Sequence, residues 1–178
     1  MLEFLIEKQK NKMKKLIIVS VILLLASCND KIAGTLGSGS IYEFNCSEEK
    51  LNICLDKFKE SSQHLAVPEK WKNYDNWEEK GFDFLKGKVF YLKGNNDFEE
   101  EMYYVTVLGS SPKLKNIART SIRSVFRMVG GTPRWLYFDD LSKSEAKEIE
   151  NRFQKIILDK MIKGDCNFNS YKVKPEFP

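Results

Sequence analysis

Residues 88–92 read KVFYL and residues 102–108 read MYYVTVL, two runs rich in aromatic and β-branched side chains. Side chains of these kinds favour β-strands. Between the runs, residues 93–97 read KGNND, and glycine and asparagine tolerate the backbone angles of a turn. The sequence therefore predicts an antiparallel hairpin, around which the other elements are placed.

Capping residues predict one helix before the hairpin and one after it. Ser47, followed by Glu48 and Glu49, is typical of a helix start. Ser142 and Glu145 have the spacing of a capping box, and Gly164 is placed to end the second helix. Apolar residues recur at helical spacing in both segments: Leu51, Cys54, Leu55 and Phe58 in the first, Ile149, Phe153, Ile156 and Ile157 in the second.

The middle of the chain predicts a further helix and two more strands. Ser111-Pro112 is typical of a helix start, and apolar residues then recur at helical spacing until Gly130-Gly131. Residues 134–138 and about 170–174 read as strands. The predicted fold class is α+β, a small, mainly antiparallel sheet of about four strands with two or three helices packed on it.

The start of the chain carries a leader pattern. Lysines precede an apolar run from Leu16 to Ala26, which is shorter than the roughly 20 residues that a membrane-spanning helix needs. The run closes on Leu25-Ala26-Ser27-Cys28, in which small residues stand directly before a thiol. Met13 fits a true start, which makes residues 1–12 a start-site extension.

Residues 13–30 resemble the signal peptide of bacterial lipoproteins. The resemblance implies that residues 1–27 are removed and that Cys28 carries a diacylglycerol thioether and an acylated amine. Membrane lipid is then the first partner, held durably because each buried CH₂ adds ~0.8 kcal/mol. In these lipoproteins, an aspartate directly after the cysteine resembles a signal for retention in the inner membrane. This chain has Asn29 at that position, so the resemblance implies the outer membrane.

Composition distinguishes a tether from one folded domain, and it shows that most of the net positive charge lies in the leader. Residues 32–40 are rich in Gly and Ser, so residues 28–40 are interpreted as a lipidated cysteine with a flexible tether, and residues 41–178 as one α+β domain. The chain carries 29 Lys and Arg against 25 Asp and Glu. Residues 1–27 hold five lysines and two glutamates, so the remainder is almost neutral. Composition therefore gives no reason to expect nucleic-acid binding.

Three cysteines remain once Cys28 is lipidated. They allow three pairings for one disulfide, of which Cys46 with Cys166 is favoured because it ties the two ends of the domain together. Cys54 lies on the apolar helix stripe and is interpreted as a small buried hydrophobe. His64 is the only histidine, and no C-x-x-C spacing occurs, so no metal site is expected.

Basic residues recur every four positions in the predicted middle helix and form the first candidate site: Lys115, Arg119, Arg123 and Arg127. On a helix this spacing places them on one side, where they could contact an acidic protein surface. The alternative is a solvated face whose charges are met by acidic residues elsewhere, such as Glu99 to Glu101.

Aromatic residues spaced by three form the second candidate site: Trp71, Tyr74 and Trp77. Their flat faces could stack on a sugar or anchor a protein, with Asn73, Asp75 and Asn76 supplying hydrogen bonds. The alternative is that they cover the edge of the core beside the hairpin.

Signals of catalysis are weak. Asp139-Asp140 offers two carboxylates, but neighbours on a strand point to opposite faces. No G-x-S-x-G, Walker or Rossmann pattern occurs, so no nucleophilic serine and no cofactor is expected.

Two functions remain open from the sequence. The favoured hypothesis is an envelope lipoprotein with a non-catalytic binding domain, which contacts a protein partner, such as a toxin to be neutralised or an assembly subunit, through the basic row. The alternative is a lipoprotein that binds or hydrolyses an envelope glycan with Trp71, Tyr74, Trp77, Asp139 and Asp140.

Overall fold

A six-stranded antiparallel sheet organises the protein. The computed structural model describes residues 37–174, except 83, 84, 86, 110–115, 165 and 167. The strands are β1 (Ile41–Phe44), β2 (Lys88–Leu92), β3 (Glu101–Gly109), β4 (Ala118–Val129), β5 (Thr132–Tyr137) and β6 (Lys172–Lys174). Their order is β2-β3-β4-β1-β6, with β5 beside the second half of β4.

Three α-helices accompany the sheet and establish the predicted α+β class. They are α1 (Glu48–Ser61), α2 (Lys143–Phe153) and α3 (Asp159–Lys163), the last two joined by a π-helical turn at Gln154–Leu158. Short 3-10 turns lie at Gln63–Leu65, Glu69–Tyr74 and Phe138–Asp140, and a π turn lies at Glu78–Phe82.

The predicted helix starts are confirmed in atomic detail. Ser47 Oγ accepts a hydrogen bond from the Lys50 backbone N–H at 3.2 Å. Ser142 Oγ accepts from the Glu145 N–H at 3.3 Å, while Glu145 Oε2 accepts from the Ser142 N–H at 2.9 Å, which completes the capping box. These bonds satisfy N–H groups that have no partner inside a helix.

The predicted helix from Pro112 to Val129 is wrong, because residues 118–129 form the central strand β4. Apolar side chains on both faces of β4 are buried, so the apolar pattern lacks the alternation that marks a strand with one exposed face. The register between β3 and β4 also shifts near Arg123, because Tyr104 faces Ser124 whereas Val105 faces Ile122. This bulge changes which residues share a face.

Gly130 and Gly131 turn the chain from β4 into β5, which corrects the prediction that this pair ends a helix. Val129 faces Thr132 in the ladder, so the two glycines form a two-residue hairpin loop. Their φ angles are 57° and 81°. Positive φ at both central positions is the geometry of a type I′ turn, which glycine adopts without strain.

The larger core lies between one face of the sheet and the helices. It joins buried side chains of the sheet, such as Tyr42, Tyr103 and Val125, to Leu51 of α1 and Phe153 of α2. A second cluster covers the opposite face at β2 to β5. Because both faces are covered, β3 is buried along most of its length, and β4 carries buried side chains on both of its faces.

The disulfide links Cys54 of α1 to Cys166, which corrects the favoured pairing of Cys46 with Cys166. The two Cα atoms lie 5.6 Å apart, in the range that a disulfide requires. Cys46 is a buried free thiol, and burial raises its pKa. The apolar helix stripe that suggested a simple hydrophobe at Cys54 in fact carries Cys54 into the core beside Cys166.

Candidate functional site

The basic row is not a helix face, because β4 replaces the predicted helix. Lys115 lies outside the described residues. Ala118 and Ile122 face the larger core, and Arg119 lies on the other face of the sheet. Arg127 lies on the helix-covered face, where it binds Glu145 of α2. The structure therefore separates Arg119 from Arg127 on the two faces of the sheet.

Arg119 and Arg127 of the basic row each bind an acidic side chain. Arg119 Nε donates to Glu43 Oε2 at 2.7 Å, and Lys174 Nζ lies 2.9 Å from the same oxygen. These two cations hold the pKa of Glu43 below its usual value even though burial acts in the opposite direction. Arg119 and Arg127 are therefore paired with Glu43 and Glu145, whereas the alternative interpretation gave Glu99 to Glu101 as an example of such partners.

The acidic run 99–101 has internal partners of its own. Glu101 is buried, accepts two hydrogen bonds of 3.0 Å from Arg152, and accepts a third of 2.7 Å from the Tyr103 hydroxyl. Glu100 accepts from Lys70 at 2.6 Å and from the Tyr91 hydroxyl at 2.8 Å. These carboxylates hold the fold together.

Asp139 and Asp140 lie on an exposed 3-10 turn. Asp140 Oδ2 accepts the Tyr137 backbone N–H at 2.9 Å, as expected of a turn that leads into a helix. In the part of the chain that the structure describes, no group of three or more His, Cys, Asp or Glu side chains could hold a metal ion.

The aromatic residues singled out from the sequence belong to the second cluster. Trp71 and Tyr74 pack on Phe126 with ring centroids 5.0 and 4.7 Å away. Trp77 stacks on Tyr104, with centroids 4.1 Å apart and an angle of 3° between the planes. The structure thus brings all three residues to one sheet face, but the stacked face of Trp77 is not available to a sugar.

A polar cleft of about 410 Å³ opens beside Trp77, between α1, the segment 75–79 and the start of β2. The stack of Trp77 on Tyr104 forms its wall, and both residues are at least nine-tenths buried. The lining residues are Asp56, Lys59, Asp75, Asn76, Trp77, Glu78, Glu79, Gly87, Lys88, Val89 and Tyr104.

Gly87 fixes how closely the chain approaches this wall. A Cβ added at Gly87 would lie 2.2 Å from the Tyr104 ring, far inside van der Waals contact. The ring cannot retreat because it is stacked on Trp77. Glycine at this position therefore lets the backbone before β2 lie directly on the aromatic wall.

Two of the charged residues in the cleft pair with each other, and Asp75 responds to burial and to two other charges. Lys88 Nζ lies 2.5 Å from Asp56 Oδ1, so these two charges meet one another. The Asp75 residue as a whole is exposed. Partial burial of its carboxyl group is nevertheless the largest influence on its pKa, and it raises that pKa. Lys59 acts to lower that pKa, and the negative charge of Glu78 acts to raise it.

Asn76 supplies a buried acceptor at the cleft. Its Oδ1 accepts no hydrogen bond within the described structure and is shielded from solvent. A buried carbonyl oxygen without a donor costs about 1–3 kcal/mol. Asn76 lines the cleft together with Asp75 and Lys59.

Sequence reasoning found only part of this site. It singled out Asp75, Asn76 and Trp77, but missed Asp56, Lys59, Glu78, Glu79 and Lys88. The stretch from Asp75 to Glu79 carried a signal, since three of its five residues are acidic around one tryptophan. Asp56 and Lys88 gave none, because they meet only when α1 packs beside β2.

Comparison with known proteins adds no relative. No family model, no curated protein and no solved structure matches this chain. Cys28, the predicted lipidation site, lies outside the described residues. Within the described ranges, no helix combines the length and the apolar character that crossing a membrane requires.

Proposed function

We propose that this chain is an exported lipoprotein, anchored through acylated Cys28 to the bacterial outer membrane, and that its domain is a non-catalytic module that binds an envelope saccharide in the polar cleft. The observation that carries the binding proposal is the cleft itself. Its cavity of about 410 Å³ falls within the usual size range of small-ligand sites.

The chemistry of the lining supports a polyhydroxyl ligand. Asp75, Glu78 and Glu79 offer acceptors, Lys59 offers donors, and Asn76 places an amide side chain in the lining. Sugar hydroxyl groups both donate and accept, so they can meet these groups in turn. The rigid Trp77–Tyr104 wall keeps the lining in place before a ligand arrives, which lowers the entropy cost of binding.

The lipoprotein part rests on the leader pattern and gains support from the disulfide. Disulfides persist mainly in oxidising compartments such as the bacterial periplasm. The Cys54–Cys166 disulfide fits an exported domain. The expected contact with an acidic protein through the basic row is not part of this proposal, because Arg119 and Arg127 lie on opposite sheet faces and are paired with Glu43 and Glu145.

Binding can be tested with the purified domain of residues 37–178 and soluble fragments of cell-wall glycan, by calorimetry and by NMR shifts of tryptophan side chains. We expect saturable binding that Asn76→Ala and Asp75→Asn each weaken by about tenfold, a change of about 1.4 kcal/mol. Asp139→Asn, on an exposed turn away from the cleft residues, is the matched control and should bind as the parent protein does. Equal affinities for all variants would refute the assignment of the cleft.

Anchoring is tested separately in cells. An alkyne-labelled fatty acid should label the parent protein and place it in the outer-membrane fraction. Cys28→Ala should remove both the label and the membrane association, whereas Cys46→Ala should change neither. Labelling that persists in Cys28→Ala would disprove the assignment of the lipidated residue.

A further inference from the structure

The connection between β1 and α1 carries an acceptor motif for a covalent modification. Residues 45–47 read Asn-Cys-Ser, which matches the N-x-[ST] motif for N-glycosylation of exported proteins. The middle residue is not proline, as the motif requires. Glu43, two positions before Asn45, supplies the acidic residue that bacterial oligosaccharyltransferases also require. The motif occurs once in the chain, because no other asparagine is followed two positions later by serine or threonine.

The structure presents both polar residues of this motif to solvent. Asn45 and Ser47 are exposed, whereas Cys46 between them is buried in the larger core. The Cys46 backbone N–H donates to the Phe44 carbonyl oxygen at 2.9 Å, so Asn45 lies at the apex of a γ-turn. Within the described part of the chain, the Asn45 side chain makes no hydrogen bond. A sugar attached to its amide nitrogen therefore displaces no internal contact.

Ser47 has a second role, and that role determines when the motif can be modified. In the folded domain, Ser47 Oγ accepts the Lys50 N–H and caps α1. A helix of the 14 residues of α1 is marginal in water by itself, and α1 is stabilised by the burial of Leu51 and Leu55. The Ser47 hydroxyl group is therefore available to an enzyme while the exported chain is still unfolded. The γ-turn keeps the modified side chain exposed after folding.

Building on the proposed export of this chain, we infer that Asn45 is N-glycosylated on the periplasmic side of the membrane. The donor is an oligosaccharide carried by a polyprenyl diphosphate, and the catalyst is a membrane-bound oligosaccharyltransferase. Asn45 Nδ2 forms a bond to the anomeric carbon of the first sugar and loses one proton to solvent. The bond between that carbon and the diphosphate oxygen breaks, and the polyprenyl diphosphate leaves with the bonding electrons. The exposed turn suits the product, because a glycan is bulky and strongly hydrated.

Mass spectrometry of the full chain, purified from the membranes of its native host, tests this inference. Trypsin releases residues 32–50 as one peptide, in which Asn45 is the only asparagine. We expect this peptide to carry the additional mass of an oligosaccharide, and fragmentation should locate that mass on Asn45. Asn45→Gln should lose the additional mass. Asn96→Gln, which changes an exposed asparagine outside the motif, should keep it.

Variants of Ser47 distinguish the acceptor motif from the helix cap. Aspartate is as good a helix cap as serine but has no hydroxyl group, so Ser47→Asp should lose the glycan from a folded protein. Threonine supplies both the cap and the hydroxyl group, so Ser47→Thr should retain the glycan. Equal glycosylation of these two variants would contradict the motif.

Two further outcomes separate this inference from the proposed anchoring. An unmodified peptide from parent protein that is lipid-labelled at Cys28 would overturn the inference while the anchoring stands. If the chain's own leader does not export it, the proposed anchoring fails. Residues 28–178 behind a signal peptide of proven function, in a bacterium that has an oligosaccharyltransferase, then test Asn45 independently. An unmodified peptide from that exported protein would also overturn the inference.

Discussion

Reduction of the Cys54–Cys166 disulfide should lower the stability of the domain substantially. The two residues are separated by 112 positions. In the chain-entropy model, closing a loop of that length in the unfolded chain stabilises the folded state by about 5 kcal/mol, and measured losses of native disulfides run from about 2 to 5 kcal/mol. With a urea m value of about 2 kcal/mol/M, the unfolding midpoint should fall by about 1–2.5 M.

The assay is urea unfolding of the domain, followed by tryptophan fluorescence with and without a dithiol reductant. The parent protein and Cys46→Ala should both lose stability when reduced, because both contain the Cys54–Cys166 disulfide. Cys54→Ala combined with Cys166→Ala should already be destabilised and should not respond to the reductant. Peptide mapping that joins Cys46 to Cys166, or a midpoint for the parent protein that the reductant leaves unchanged, would refute the reasoning.

Two further predictions concern the turn and the capping box. Gly131→Ala places a Cβ on a residue with φ of 81° and should lower the free energy of unfolding by about 1–2 kcal/mol. Hydrogen exchange should show that β5 stays paired with β4. An unchanged unfolding midpoint would contradict the type I′ turn. Hydrogen bonds from Ser142 and Arg127 lower the pKa of Glu145 to about 2. Since the unfolded value is about 4.3, Glu145 stabilises the domain above that pH and loses the effect as pH falls towards 2. Because the carboxylate is 42% exposed, screening keeps the effect near 1 kcal/mol or less. Glu145→Gln should flatten the dependence of the melting temperature on pH over this window, and an unaltered acid profile would argue against the pair.

Local signals predicted those parts of the fold that local interactions determine. The caps at Ser47 and Ser142 and the strands on either side of the turn at residues 93–97 are specified by neighbours a few residues apart, and the structure contains them. The strand β4 depends instead on what covers its two faces. Val125 and Phe126 are adjacent and both buried, one against the helices and one against the aromatic cluster, so alternation is lost.

A similar limit applies to the cleft. Asp75, Asn76 and Trp77 were recognised because they are contiguous, but Asp56 and Lys88 belong to different elements and meet through packing. The glycine pair at 130–131 was a missed signal, because two glycines between apolar runs are also typical of a hairpin. A hairpin at this pair places Arg119, Arg123 and Arg127 on a strand, as in the structure.

The position of β1 in the sheet has a consequence for how this protein folds. Glu43 of β1 binds Arg119, which lies 76 residues further along the chain, and β1 also pairs with β6 near the end of the described region. The hairpins β2–β3 and β4–β5 can form from neighbouring segments, but β1 must await both distant strands. Long-range pairing of this kind slows folding and leaves apolar segments open to aggregation. During synthesis, the stretch with Tyr42 and Phe44 therefore precedes both of its partner strands, and its apolar side chains stay uncovered until β4 and β6 have followed.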